Sequence, residues 1–284
     1  MLNINNLSGG YKKFQLKDIS LHLPKGYVMG LIGENGAGKT TLIKLIMDLI
    51  KRKNGKIYVD GFDNIDDGVE VRKRIGFVYD ETPFYKNLKL KDMTSIIRRF
   101  YPDWNQDKYS RLIKSFGLDE SKKIMELSRG MSSKYMLATA LSHGAKLLIL
   151  DEPTSGIDPA SRVEMLDILR EELEDGEKSI LFSTHITTDL EKIADYITML
   201  KDGKVQFSGS RDDFIDSYHI IKCDPKIIDD QLLSGFIGHR TTSLGFEGLT
   251  DNDDLVSILK YNSVIERPSM DDIMYFSKKG DLCE

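Results

Sequence analysis

Cysteine is scarce: only Cys223 and Cys283 occur in 284 residues, far apart and in no metal-ligand spacing. That excludes a disulfide framework and a zinc module, and it suits a reducing compartment. Tryptophan occurs once, and no run approaches the ~18 uncharged apolar residues a membrane helix needs. The N-terminal MLNINNLSGGYKK lacks the basic-then-apolar pattern of an export signal, so a cytosolic location is expected. Internal repeats and low-complexity linkers are absent, which argues against solenoids and disordered arrays. Nor is there a strong charge of one sign: the net charge is −5, with 8 basic against 15 acidic residues after position 204. An acidic C-terminal stretch repels a phosphate backbone, so no nucleic acid partner is expected. What is present, 40% hydrophobic and 30% charged residues, is the composition of a globular protein with one large domain or one domain and a small appendage.

The stretch GENGAGKTT organises the rest. Gly33, Glu34, Asn35, Gly36, Ala37, Gly38, Lys39, Thr40 and Thr41 fit G-x-x-x-x-G-K-[ST] without a mismatch. Upstream, Gly26 to Ile32 reads as a buried strand. Downstream, Leu42 to Met47 has helical apolar spacing. A glycine-rich turn between strand and helix points backbone N–H groups at phosphate oxygens, and the helix N-terminus adds partial positive charge. Lys39 then reaches the β- and γ-phosphates and Thr40 ligates Mg²⁺. The expectation is a nucleoside triphosphate site.

In chain order, residues 2–28 alternate apolar and polar side chains, broken at Ser8-Gly9-Gly10 and Pro24-Lys25-Gly26, which predicts an antiparallel hairpin. Tyr11, just after the glycine pair, is placed to stack on an adenine ring. Asn54-Gly55 signals a turn before a strand at Lys56 to Gly61, and Ile75 to Tyr79 is the next strand. From about residue 86 to 144 the spacing turns helical, an insertion in the α/β pattern. Lys146 to Asp158 (KLLILDEPTSGID) is a buried strand that delivers two carboxylates at its C-terminal edge, where ligands of open α/β sheets sit. Asp151 suits Mg²⁺, and Glu152 suits polarising the water that attacks the γ-phosphate. Ser179 to Ser183, another strand, ends at Thr184-His185. His185 therefore leaves the same sheet edge as Lys39 and Asp151, placed to sense or stabilise the γ-phosphate. A helix at Asp189 to Ala194, a strand at Tyr196 to Leu200 and a turn at Asp202-Gly203 complete a nucleotide domain near Gly209. Residues 210–284 read as a strand at His219 to Cys223, two or three more strands and a last helix from Ser269 to Phe276, with no catalytic constellation.

These motifs, in this order, resemble the ATP-binding subunit of an ABC transporter over about residues 2–209. The most specific element is Leu127-Ser128-Arg129-Gly130-Met131, similar to the family's LSGGQ signature. The resemblance implies a P-loop NTPase core of α/β class, with an N-terminal antiparallel β-subdomain, an inserted helical signature subdomain (86–144) and a small C-terminal α+β domain (210–284). It implies a head-to-tail dimer holding two ATP molecules, with Ser128 and Gly130 of one subunit on the γ-phosphate held by the other. Roles follow by position: Tyr11 for adenine, residues 33–41 for phosphates and Mg²⁺, Asp151 for metal, Glu152 as base, Asp158 for the cross-dimer D-loop contact, His185 for the switch.

Two positions depart from the family pattern. Arg129 and Met131 replace Gly and Gln of the signature, and Asp80 stands at the Q-loop where Gln is usual, a carboxylate still able to ligand Mg²⁺ or hold a water. The register before the phosphate loop is a residue short of the commonest pattern, which leaves Phe14 as a second adenine candidate. Tyr79, Pro83, Phe84, Tyr85, Phe100, Tyr101 and Trp104 cluster around the Q-loop and the start of the helical block, either as the core of that subdomain or where the family's groove receives a helix from the membrane subunit. The implied partners are a second ATP-binding subunit, the same chain or a paralogue, and an integral membrane subunit, with this chain peripheral on the inner membrane face. Tyr-Asp-Glu at the Q-loop, the Arg-Gly-Met signature and the short appendage look most like bacterial exporters of antimicrobial peptides and lipid-active compounds. The rival class is a soluble ABC ATPase acting on ribosomes or DNA. Such chains usually carry two nucleotide domains or a long coiled coil, and this one has a single phosphate loop and no sustained heptads.

Overall fold

The computed structural model describes residues 1–79, 82–243 and 245–280, the side chains of 279 and 280 excepted. Strands β1 (Leu2–Tyr11) and β2 (Phe14–Leu23) form the expected hairpin, turning at Lys12-Lys13. Gly9 and Gly10 stay within β1, where the register slips against β2 instead of breaking. After β3 (Val28–Ile32) comes helix α1 (Lys39–Ile46), then β4 (Arg52–Val59) and β5 (Phe62–Asp63). β4 runs straight through Asn54-Gly55, which corrects the turn expected there. The pair instead makes an irregularity opposite Asn5 to Ser8 of β1. Gly55 has φ 87°, and a Cβ on it would stand 2.5 Å from the Asn6 carbonyl oxygen, so the Asn-Gly signal marks a bulge and not a reversal. β2-β1-β4-β5 is the first sheet.

Helix α2 (Gly68–Arg74) leads to β6 (Ile75–Val78), and the helical insertion follows as α3 (Leu90–Ile97), α4 (Gln106–Ser115) and α5 (Arg129–Ser142). Its core is tied by buried hydroxyls: Thr94 Oγ1 lies 2.7 Å from Tyr109 Oη and 2.8 Å from Tyr135 Oη, joining all three helices. Then come β7 (Leu147–Asp151), α6 (Pro159–Glu171), β8 (Ser179–Ser183), α7 (Thr187–Ile193), β9 (Tyr196–Lys201) and β10 (Lys204–Ser210). The second sheet has order β10-β9-β3-β8-β7-β6. β3, β7 and β8 are parallel and buried at every position, as continuous apolar strands covered on both faces must be. Asp202 (φ 49°) and Gly203 (φ 74°) make the expected two-residue turn between β9 and β10.

The rest comprises α8 (Arg211–Asp216), β11 (His219–Cys223), α9 (Asp230–Leu233), β12 (Gly238–Thr242), β13 (Gly245–Thr250), α10 (Asp253–Leu259), β14 (Ser263–Glu266) and α11 (Met270–Gly280). Their antiparallel sheet, order β12-β13-β11-β14, packs Ile221 against Leu255, Leu259, Leu232 and Phe236. Ser269 accepts from the Asp272 N–H at 3.1 Å, the helix cap its sequence suggests. The chain groups into two compact units: residues 1–185 with 193–206, and residues 207 onward with 186–192.

Candidate active site

The second sheet places three loops at the C-terminal ends of adjacent parallel strands. β3 gives the phosphate loop, β7 gives Asp151-Glu152, and β8, between them, gives Thr184-His185. Gly33 holds φ 148°, and a Cβ there would lie 2.3 Å from the Leu200 carbonyl oxygen. At Gly38 (φ 114°) a Cβ would lie 2.5 Å from Leu16 Cδ2, so the close approach of the loop to its surroundings demands glycine twice. The Ala37 carbonyl accepts from the Gly203 N–H at 3.2 Å, which fastens the loop to the β9–β10 turn. Gly36 and Asn35 are exposed, and a side chain at Gly36 would meet open space.

Lys39 folds back over this loop and donates to the Gly33 carbonyl at 2.6 Å and the Glu34 carbonyl at 3.1 Å. Burial pushes its pKa down, against the opposing pull of Glu152, Asp151 and Glu34. An ammonium held by carbonyls in a partly dry cradle gains most from an anion placed there. Next to it, Thr40 Oγ1 donates to Asp151 Oδ2 at 3.2 Å across 111 residues of sequence. Asp151 is buried at the end of β7.

Glu152 takes the left-handed conformation, φ 53°, one residue past the strand, and its N–H donates to the Ser183 carbonyl at 2.8 Å. The kink turns its side chain towards β8. There Glu152 Oε2 meets His185 Nδ1 at 2.7 Å and accepts from Thr184 Oγ1 at 3.4 Å. An ionised carboxylate only accepts, so the contact puts the proton on Nδ1 of an exposed ring. Sequence reasoning marked Thr184 only as a strand end. Its adjacency to His185 was the available signal, and the hydroxyl's aim at Glu152 was not.

The remaining candidates form a second group. Ser128 caps α5, accepting from the Met131 N–H at 3.2 Å. Gly130 is buried, and a Cβ on it would stand 3.1 Å from the Gly156 carbonyl oxygen and 3.2 Å from Ile157 Cγ1. Asp158 caps α6 from the same loop and accepts from the Ser161 N–H at 3.0 Å. That bond holds its carboxyl below the ordinary pKa. Gly130 thus lies against residues 156–157, which lead into Asp158, and Ser128 caps the same helix two residues before Gly130. The hydrogen bonds of Ser128 go to Met131 and Ser132, not to the Lys39 cluster.

Of the two adenine candidates, Phe14 lies against the phosphate loop, its Cζ 3.1 Å from where a Cβ on Gly38 would be, while Tyr11 is half-exposed at the end of β1. Thr41 is partly buried on α1. Asp80, named as a metal ligand, lies outside the described residues. Among the aromatics beyond it, Phe84, Phe100 and Tyr101 line a cavity of about 320 Å³ with Met47, Phe77 and His143. Trp104 packs on Tyr109 within the helical insertion instead.

The ABC transporter family model matches residues 16–155, and an AAA domain model matches residues 123–188. The ABC transporter ATP-binding protein YtrB of Bacillus subtilis is 34% identical over 206 residues, which cover 72% of this chain and 70% of YtrB. The chain belongs to the ABC transporter ATP-binding family. This ABC ATPase is also 33% identical to the lantibiotic transport ATP-binding protein SrtF of Streptococcus pyogenes, over 72% of this chain and 89% of SrtF. A solved ATP-binding subunit of an ABC transporter superposes with TM-score 0.71 at 30% identity, covering 76% of this chain and 92% of that one. Family membership makes the protein an ATP hydrolase of α/β fold.

Proposed function

We propose that the chain is the ATP-hydrolysing subunit of an exporter, closing head to tail with a second ATP-binding subunit on ATP and driving a separate integral membrane subunit. The observation that carries this is the 2.7 Å contact of Glu152 with His185, beside Lys39 and the Thr40–Asp151 pair. Both described contacts of the Glu152 carboxylate are to Oε2, which leaves Oε1 to polarise the attacking water as general base. His185 orients that carboxylate and offers Nε2 to the γ-phosphate. Lys39 moves from its carbonyls to the phosphate oxygens when the loop fills. Thr40 Oγ1 and Asp151 Oδ2, 3.2 Å apart, are the hard-oxygen pair Mg²⁺ takes. Mg²⁺, when bound, neutralises charge on the phosphate oxygens. Among the described residues no group of three or more His, Cys, Asp or Glu forms a metal cage, and an ion shared with phosphates requires none.

Ser128 and the N-terminus of α5 supply the contact to ATP held by the other subunit, which is the same chain or a paralogue. Asp158 meets that subunit through the D-loop, and Tyr11 or Phe14 stacks on adenine. The cavity lined by Phe84 and Phe100 receives a helix of the membrane subunit, so this protein sits peripherally on the inner membrane face. The name of SrtF, a lantibiotic transport protein, supports peptides or lipid-active compounds as cargo.

Glu152→Gln tests the reading. ATP binding persists, turnover falls by about 10²-fold, and ATP-dependent dimers accumulate in size-exclusion chromatography. Wild-type turnover in that variant removes Glu152 from the mechanism. Co-purification with ribosomes and no membrane protein favours the soluble rival.

A further inference from the structure

Strand β8 carries a buried serine at each end, and the two hydroxyls are used differently. Ser179, at its start, belongs to the fold: its Oγ accepts from the Gly26 N–H at 3.0 Å and donates to the Pro24 carbonyl at 3.0 Å. Ser183, at its end, is fully buried too, and its Oγ has no hydrogen-bond partner among the described residues. A buried hydroxyl in that state costs free energy, so stability does not account for a serine there. Its place does. β8 lies between β3 and β7, and Ser183 pairs with Leu31 of β3 on one side and Asp151 of β7 on the other. Side chains alternate along a strand, so Ser183 shares a face with Leu181, and Asp151 shares a face with Ile149. Leu181 and Ile149 belong to one core cluster with Leu42, Ile43 and Leu45 of α1. The hydroxyl is therefore carried on the α1 face, one strand over from the Asp151 carboxylate that Thr40 of α1 meets. All of these residues lie in the first compact unit.

We propose that Ser183 is a positioning residue for the divalent cation: its Oγ accepts from a water that the ion retains, beside the Thr40–Asp151 pair. This rests on the reading of Thr40 and Asp151 as the Mg²⁺ pair. Mg²⁺ dehydrates reluctantly and keeps several waters when protein and phosphates supply only a few of its ligands. Those waters need acceptors, and a buried hydroxyl with its lone pairs uncommitted, on the same face as the metal carboxylate, is one. Partners that hold the ligands of a metal without touching it are typically worth ~10- to 100-fold in its affinity. The cost of burying the Ser183 hydroxyl in the nucleotide-free protein is then recovered when the ion arrives, so metal affinity and resting stability should move in opposite directions at this position.

The test is calorimetric binding of a non-hydrolysable ATP analogue to the full chain, in Mg²⁺ and in EDTA, with thermal unfolding of the nucleotide-free protein. Ser183→Ala should weaken binding in Mg²⁺ by about tenfold and leave binding in EDTA unchanged. It should also raise the melting midpoint by about 2–4 °C, because the hydroxyl it removes has no partner in the fold, whereas Ser179→Ala should lower it. Unchanged binding of Ser183→Ala in Mg²⁺ overturns the proposal. Equal losses in Mg²⁺ and in EDTA also overturn it, since the hydroxyl then serves the nucleotide itself, and so does a lower melting midpoint, which makes the serine structural. Asp151→Asn separates this from the reading beneath it. If Asp151→Asn loses the Mg²⁺-dependent affinity while Ser183→Ala keeps it, the pair stands and the serine alone is wrong. Should Asp151→Asn bind in Mg²⁺ as the wild type does, the pair and the serine fall together. Ser183→Cys, of similar size but a weak hydrogen-bonding group, is read the same way if the alanine variant does not fold.

Discussion

The sheet edge that holds Lys39, Asp151, Glu152 and His185 and the corner that holds Ser128, Gly130 and Asp158 are built on opposite plans. At the edge, side chains reach across the sequence to one another: Thr40 to Asp151, Thr184 and His185 to Glu152. At the corner, Ser128 and Asp158 are exposed, and each accepts a backbone N–H of the helix it caps. The edge is preorganised within one chain, as the hydrolytic role proposed for it requires. The corner exposes the caps of two helices, Ser128 of α5 and Asp158 of α6, which the proposed contact with a second subunit would use.

Lys39→Ala should separate the two most sharply. It removes the ammonium from the cradle, and ATP turnover should fall by about 10³-fold with loss of nucleotide binding by equilibrium dialysis. Next is pH, acting through the far end of the corner's helix. His143, after the last turn of α5, is buried and stacked on Tyr101 at 3.9 Å, and burial pushes its pKa down to about 4. The unfolded chain takes up that proton near pH 6.5 and the folded chain does not. The stability present above pH 6.5 should therefore drain by up to about 3 kcal/mol as pH falls towards 4. Urea unfolding at several pH values checks this, and His143→Phe should flatten the dependence. Ser128→Arg should slow turnover by on the order of 10-fold to 10²-fold while single-subunit ATP binding stays intact, the reverse of the Lys39 pattern. Equal loss of binding in both variants would erase the contrast between edge and corner. Asp158→Ala should be the mildest, costing about 1 kcal/mol in thermal unfolding through the lost cap of α6.

The edge was legible in sequence because Lys39 and Thr40 complete a phosphate-loop motif and Asp151, Glu152 and His185 follow apolar strands, and a parallel strand announces itself by unbroken hydrophobicity. The mutual aim of Glu152, Thr184 and His185 was not, since it depends on β8 lying between β3 and β7, an order no local pattern encodes. Asn54-Gly55 misled because the same left-handed preference serves a bulge and a reversal alike. Helices α8, α9 and α10 went unread because each is short and rests on its cap and its packing rather than on periodicity. The attachment of α7 to α11 spans 84 positions between Thr187 and Asp271, beyond any window of the chain.

The left-handed backbone at Glu152 has a bearing on how this chain can change. A carboxylate steered by its own main chain keeps its direction through Glu-to-Gln or Glu-to-Asp exchanges, so reactivity there can be retuned without rebuilding the scaffold. The same conformation disfavours any L side chain by roughly 1 kcal/mol, and glycine alone would relieve it. Selection for sturdiness and selection for turnover therefore pull position 152 in opposite directions.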